Sequence, residues 1–152
     1  MAASAGCGYT TQVDFPPPVG DESVNKIGYK DLVAASEARI RIISAEEALE
    51  KLGSDDVVFV DLRDVRELKR EGGIPGAFHC PRGLLEFWID PESPYHHAIF
   101  AEPKEFVFFC NLGWRSALAA DIAQQMGLDT CHIDGGFEAW KAFGGEVAHT
   151  TK

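Results

Sequence analysis

The stretch FVFFCNLGWRSALAADIAQQMG, Phe106 to Gly127, decides the fold. Four apolar residues without polar alternation read as a strand covered on both faces. A cysteine and a short polar turn follow. Beyond the turn, Leu118, Ile122 and Met126 recur at four-residue spacing while Asp121, Gln124 and Gln125 face elsewhere, which predicts an amphipathic helix ended by Gly127.

Upstream, VVFV (Val57 to Val60) running into Asp61 is a second continuous apolar strand, and a parallel sheet is implied. Ser44 with Glu47 three residues later forms a capping-box pattern for a helix through Ala48 and Leu49, stopped by Gly53. RIRII (Arg39 to Ile43) precedes it as a first strand, with a short helix around Leu32 and Val33 before that. RDVRELKREGG (Arg63 to Gly73) reads as a solvated helix closed by glycines, and IPGAFHCP (Ile74 to Pro81) as a turn and short strand. Arg82 to Pro103 is punctuated by prolines and predicts one helix followed by irregular chain. Downstream, TCHI (Thr130 to Ile133) is a last short strand, and Asp134 is placed to cap a closing helix that buries Phe137 and Trp140.

Strand and helix thus alternate, which predicts an α/β domain with an open parallel sheet and helices on both faces. Residues 1–28 are rich in Gly, Ala, Ser and Pro, with Pro16 to Pro18 in a row, and read as a flexible N-terminal arm; residues 29–152 read as a single domain. Net charge is −10, from 24 acidic and 14 basic residues, and no basic run stands out, so nucleic acid is not an expected partner. No apolar run reaches membrane-spanning length, and the first residues lack the basic and apolar regions of a secretion signal. The four cysteines are scattered singly, without CxxC or Cys/His spacing, so no metal site is expected and a reducing cytoplasm fits best.

Open parallel sheets bind ligands beyond the carboxyl ends of their strands, where Asp61 and Cys110 both stand. A cysteine between a strand end and a helix N-terminus meets converging N–H groups and a positive dipole, which favours the nucleophilic thiolate. Arg115 adds a fixed positive charge. Gly113 can take the positive φ that curls the loop into an anion nest, and Ser116 can cap the helix and donate to a bound oxyanion. Taken singly, these residues are usually just a buried small hydrophobe, a turn glycine and a surface charge. In this order they point to a nucleophile. Cysteine phosphatases need Cys-x5-Arg to surround a phosphate, whereas Cys110 to Arg115 is Cys-x4-Arg, a tighter cradle suited to one extra sulfur atom.

At VDLRD (Val60 to Asp64), IPGAFHCPRG (Ile74 to Gly83), CNLGWRS (Cys110 to Ser116) and DGGFEAW (Asp134 to Trp140), the chain resembles the rhodanese-like sulfurtransferases, single-domain bacterial type. The resemblance spans about Ile42 to Val147. It implies a sheet of about five strands, a Cys110 that carries a sulfane sulfur from a small anionic donor such as thiosulfate, or from a protein-borne persulfide, to a thiol or cyanide, and no metal or organic cofactor. Asn111, Leu112, Gly113, Trp114, Arg115 and Ser116 would form the cradle. Two departures stand out: Gly73 occupies a position where the family usually has histidine, and Leu85 to His97 is longer than the family minimum.

Asp61 is a candidate to hydrogen-bond the edge of the site and Arg63 to gather anions, the alternative being an ion pair with Glu67 or its neighbours. Trp114 is expected to project outward as a pocket wall. Cys80, in HCPR, imitates a phosphatase loop but lacks its arginine, since Glu86 stands six residues on. Cys131 and His132 are read as core and edge residues, His96 and His97 as solvated, and Trp88 as packing. Rival functions are a cysteine phosphatase or arsenate reductase, a non-catalytic interaction module, and a thiol redox switch, for which no resolving cysteine is evident.

Overall fold

Runs of phenylalanine and valine make the centre of the sheet, because both faces of each strand must be apolar when helices cover both. The computed structural model describes residues 26–149; residues 1–25, which hold most of the expected arm, and 150–152 lie outside the described residues. Five strands, β1 (Arg41–Ile43), β2 (Val57–Asp61), β3 (Phe78–His79), β4 (Glu105–Phe109) and β5 (Asp129–Ile133), form one parallel sheet in the order β1-β5-β4-β2-β3. Among the described residues six α-helices connect and cover it: α1 (Tyr29–Glu37), α2 (Ala45–Lys51), α3 (Val65–Glu71), α4 (Leu85–Ile89), α5 (Trp114–Gln125) and α6 (Gly136–Phe143).

The FVFF run serves both layers. Phe106 and Phe108 pack with Leu85, Ile89 and the alanines of α5 on one face, while Val107 and Phe109 pack with Ala48, Phe137 and Trp140 on the other. Ser44 caps α2 as expected, its hydroxyl accepting the Glu47 N–H at 3.0 Å while Glu47 accepts the Ser44 N–H at 2.9 Å. From β2 the sheet grows toward β3, and from β4 toward β5, so the carboxyl ends of β2 and β4 flank the topological switch point.

Three expectations are corrected. The buried face of α5 is not the Leu118, Ile122 and Met126 stripe but the opposite one, Ala117, Ala119, Ala120 and Ala123. Ala119, Ala120 and Ala123 pack on Phe106 and Phe108 of β4, and the larger Leu118, Ile122 and Met126 are left partly or largely exposed. Asp121 is buried too, because Ser36 donates to it at 2.8 Å and Arg39 at 3.1 Å. Burial would raise its carboxyl pKa, but the bonds from Arg39, Ser36 and Gln125 hold it below the usual range. The first strand is shorter than RIRII, beginning at Arg41. His96 and His97 are half-buried rather than free in solvent: His97 stacks on Trp88 at 3.9 Å and meets Phe78 edge-on, while a His96 ring nitrogen pairs with the Trp88 carbonyl at 3.0 Å.

Candidate functional site

Cys110 follows the last residue of β4, whose carbonyl accepts the Leu62 N–H at 3.0 Å and so ties this strand end to that of β2. The chain then turns through Asn111 and Leu112 to Gly113, which caps α5 at φ +105°, a left-handed conformation that a side chain would strain. This turn aims the Gly113 N–H back at Cys110 Sγ, 3.2 Å away.

The other side of the loop is bonded to α6. The N–H groups of Phe137 and Glu138 donate to the carbonyls of Cys110 at 2.8 Å and Asn111 at 3.1 Å. These first-turn amides are the ones Asp134 was expected to satisfy. Asp134 is exposed instead, Gly135 is the N-cap without a side-chain bond, and the loop carbonyls do the capping. The approach is so close that a Cβ on Gly136 would lie 2.5 Å from the Cys110 carbonyl oxygen, so only glycine fits.

Ser116 is likewise not the cap of α5. It sits in the first turn with its hydroxyl 3.6 Å from Cys110 Sγ and 2.9 Å from His132 Nδ1. Arg115 is gripped by Glu67 through two bonds of 2.9 and 3.0 Å. Glu67 also accepts the Asp64 N–H at 3.0 Å, closing a capping box on α3, so one carboxylate both caps a helix and aims a guanidinium. The hydrogen bond from Arg115 holds the Glu67 carboxyl below the usual range; the same bond raises the guanidinium further, with the Cys110 sulfur adding to the effect.

Of the expected cradle, Cys110, Gly113 and Ser116 converge around the sulfur, with Cys110 only 1% exposed. Asn111 carries a buried Oδ1 without a hydrogen-bond partner. Leu112 and Trp114 are exposed, and the Trp114 ring lies 5.0 Å from that of Tyr29.

Asp61 and Arg63 do not join the cradle as charge-gathering groups. They are buried and bonded to each other at 2.9 and 2.7 Å; Arg63 also donates to the Gly72 carbonyl at 2.7 Å and lies over Phe137 at 4.4 Å. Neither presents a free charge to an incoming anion. The partner of Glu67 is Arg115, not Arg63. Gly73 leaves room for this pair, since a Cβ there would come within 3.2 Å of Arg63 Nη2.

Burial pushes the Cys80 and Cys131 thiols up to about 12, which makes both poor nucleophiles. Glu67 and His132 are the residues of the site whose place sequence reasoning missed. A D-x-x-E capping box at Asp64 was the available signal for Glu67; a histidine inside a short strand gave none. Among the described residues, no group of three His, Cys, Asp or Glu is placed to hold a metal ion.

The family model described as the rhodanese-like domain matches residues 44–143. The putative sulfurtransferase YtwF of Bacillus subtilis is 30% identical over 103 residues, 67% of this chain and 91% of that protein. Among solved structures, a protein of unknown function from Rhodopseudomonas palustris, described as a possible tyrosine phosphatase, is 49% identical with a TM-score of 0.79, covering 84% of this chain and 99% of its own. A rhodanese-related protein from Thermoplasma volcanium is 25% identical with a TM-score of 0.61, covering 72% and 99%.

Proposed function

The chain belongs to the rhodanese-like family, and we propose that it is a sulfurtransferase that carries a sulfane sulfur as a persulfide on Cys110. In the first half-reaction the Cys110 thiolate attacks the outer sulfur of a donor such as thiosulfate. The donor's S–S bond breaks and sulfite leaves with the electron pair. In the second, a thiol or cyanide attacks the outer sulfur of the persulfide, and Cys110 departs as thiolate. No metal or organic cofactor takes part.

The observation that carries this reading is the Gly113 N–H at 3.2 Å from Sγ, inside a loop that closes at Arg115 after only four intervening residues. The loop folds around the cysteine sulfur itself. On this reading one further sulfur stands about 2 Å beyond Sγ, where the loop N–H groups, that of Gly113 first, stabilise the charge it carries. Arg115, aimed by Glu67, attracts the anionic donor, and Leu112 and Trp114 line its approach. The partners are a small anionic sulfur donor or a protein-borne persulfide, and a thiol acceptor. The cytoplasm suits three free thiols among the described residues.

The description of the Rhodopseudomonas palustris protein favours a second reading, phosphate-ester hydrolysis. Loop length opposes it. Comparing thiosulfate-to-cyanide sulfur transfer with hydrolysis of an aryl phosphate, in the wild-type protein and in Cys110→Ser, decides between them. Transfer without hydrolysis, lost in the variant, supports the proposal; Cys110-dependent hydrolysis without transfer rejects it.

A further inference from the structure

His132 projects from β5 toward the same face as Phe108, its register partner on β4, and is 1% exposed. Its Nδ1 lies 2.9 Å from Ser116 Oγ, and Ser116 Oγ lies 3.6 Å from Cys110 Sγ. Its other ring nitrogen, Nε2, is buried and has no hydrogen-bond partner among the described residues, and the Glu37 carboxylate of α1 lies 4.0 Å from it. Glu37 itself reaches solvent, with 39% of its side chain exposed.

A histidine kept only for packing would have both nitrogens satisfied or be replaced by an apolar residue, since a buried polar atom left unbonded costs stability. Here one nitrogen is bonded to Ser116, on the side of the Cys110 sulfur, and the other lies 4.0 Å from a carboxylate, too far for a hydrogen bond.

We propose that His132 is the proton-accepting end of a buried relay, Cys110 to Ser116 to His132, with Glu37 beside its outer end. When the thiolate forms, the Cys110 S–H bond breaks and its proton moves to Ser116 Oγ. The proton of that hydroxyl passes to His132 Nδ1. The result is a thiolate, an unchanged hydroxyl and an imidazolium facing Glu37; the proton returns by the same path when the thiol re-forms. His132 touches neither substrate nor sulfur, so it is a positioning residue acting through Ser116.

The groups facing the ring are few. Ser116 comes from α5, with Cys110 behind it, and Glu37 comes from α1. On the loop, Gly113 is bare: a Cβ there would lie 3.6 Å from His132 Cε1. The register neighbours Ile42 and Phe108 are apolar. Asp134 is the nearest charge on the ring's own segment. Burial lowers the His132 pKa and Asp134 opposes this, so the resting ring is neutral; the relay requires the tautomer with the lone pair on Nδ1, facing the Ser116 hydroxyl.

This inference rests on the reading of Cys110 as the nucleophile, and its test needs no sulfur donor. Alkylation of Cys110 by iodoacetamide, followed on the Cys110 peptide by mass spectrometry, is measured from about pH 5 to about pH 10 in wild type, His132→Asn and Glu37→Gln. Asparagine keeps a hydrogen-bonding group near Nδ1 but accepts no proton. The relay predicts a His132→Asn midpoint about one pH unit higher, hence an alkylation rate near neutral pH about 10-fold lower, with the high-pH limit unchanged.

Glu37→Gln, at a partly exposed position that folding tolerates, shifts the profile the same way by about 2-fold to 3-fold. If His132→Asn does not fold, Glu37→Gln decides alone. Profiles that match wild type overturn the relay. Wild-type sulfur transfer with unmoved alkylation profiles in the variants would reject the relay alone, whereas a shifted profile in a protein that transfers no sulfur would reject the sulfurtransferase reading and leave the relay standing.

Discussion

Cys110, just beyond the end of β4, and Cys131, within β5, are both buried thiols, yet their surroundings are opposite. Around Cys110 the contacts are a backbone N–H at 3.2 Å, the Ser116 hydroxyl at 3.6 Å and the nearby Arg115. Cys131 has as its polar neighbour a carboxylate oxygen of Glu105 at 3.8 Å, and burial together with that charge pushes its thiol up to about 12. Each site also has a carboxylate that holds cations. Glu67 aims Arg115 into the loop, while Glu105, at the amino end of β4, ties Lys51 at 2.8 Å and Arg41 at 2.7 Å. Burial therefore does not distinguish the two thiols. On the proposed reading the sign of the surrounding partial charges does: Cys110 lies in a loop beyond the carboxyl end of β4 beside an N–H and a guanidinium, whereas Cys131 lies in the middle of β5 beside a carboxylate.

Removing each sulfur in turn is the strongest way to break this contrast. Cys110→Ser is expected to lower thiosulfate-to-cyanide turnover by more than about 10³-fold, and Cys131→Ala to leave it within about 2-fold, both by steady-state thiocyanate formation. A comparable loss from both would erase the distinction. Next in size, reaction of the native protein with iodoacetamide near neutral pH is expected to label Cys110 at least about 10²-fold faster than Cys80 or Cys131, read peptide by peptide; equal rates would show that the loop confers no special reactivity.

Exchanging the two carboxylates sharpens the same point. Glu67→Gln frees Arg115 from its fixed direction and is expected to reduce kcat/KM for thiosulfate about 10-fold. Glu105→Gln is expected to leave kcat/KM unchanged and to cost about 1 kcal/mol in urea unfolding, since both its ion pairs are partly exposed.

The smallest effect is in acid. The Arg115 bond depresses the Glu67 pKa; at Glu105, burial pulls upward but the Lys51 and Arg41 bonds outweigh it, and the net shift is again down. A depressed folded-state pKa means stability that is present above the unfolded value, about 4.3, and lost as pH falls through the folded one. The melting temperature should therefore fall below about pH 4, and less steeply in either glutamine variant.

The layered α/β architecture was legible because unbroken apolar runs such as Phe106 to Phe109 admit few alternatives to a doubly covered strand. The loop itself was legible for the same reason: Gly113 has one conformational job, and its φ of +105° performs it. Interactions between distant segments were not. Hydrophobic periodicity placed Leu118 and Ile122 inward, but alanines pack on β4 instead, and Asp121 went inside because Ser36 and Arg39, more than eighty residues earlier in the chain, satisfy it. Asp134 has the chemistry of a cap, yet the carbonyls of Cys110 and Asn111 arrived first. The pairing of Arg115 with Glu67, the sealing of Arg63 by Asp61, and the aim of His132 at Ser116 depend on chain crossings that spacing does not encode.

Intact-protein mass spectrometry of the reduced protein after incubation with thiosulfate, followed by a cyanide chase, tests the central claim most directly. A gain of one sulfur atom, removed by cyanide and absent from Cys110→Ser, is the predicted result. A sulfur adduct of equal yield in Cys110→Ser, or none in the wild-type protein with either thiosulfate or a persulfidated thiol as donor, would contradict the persulfide account.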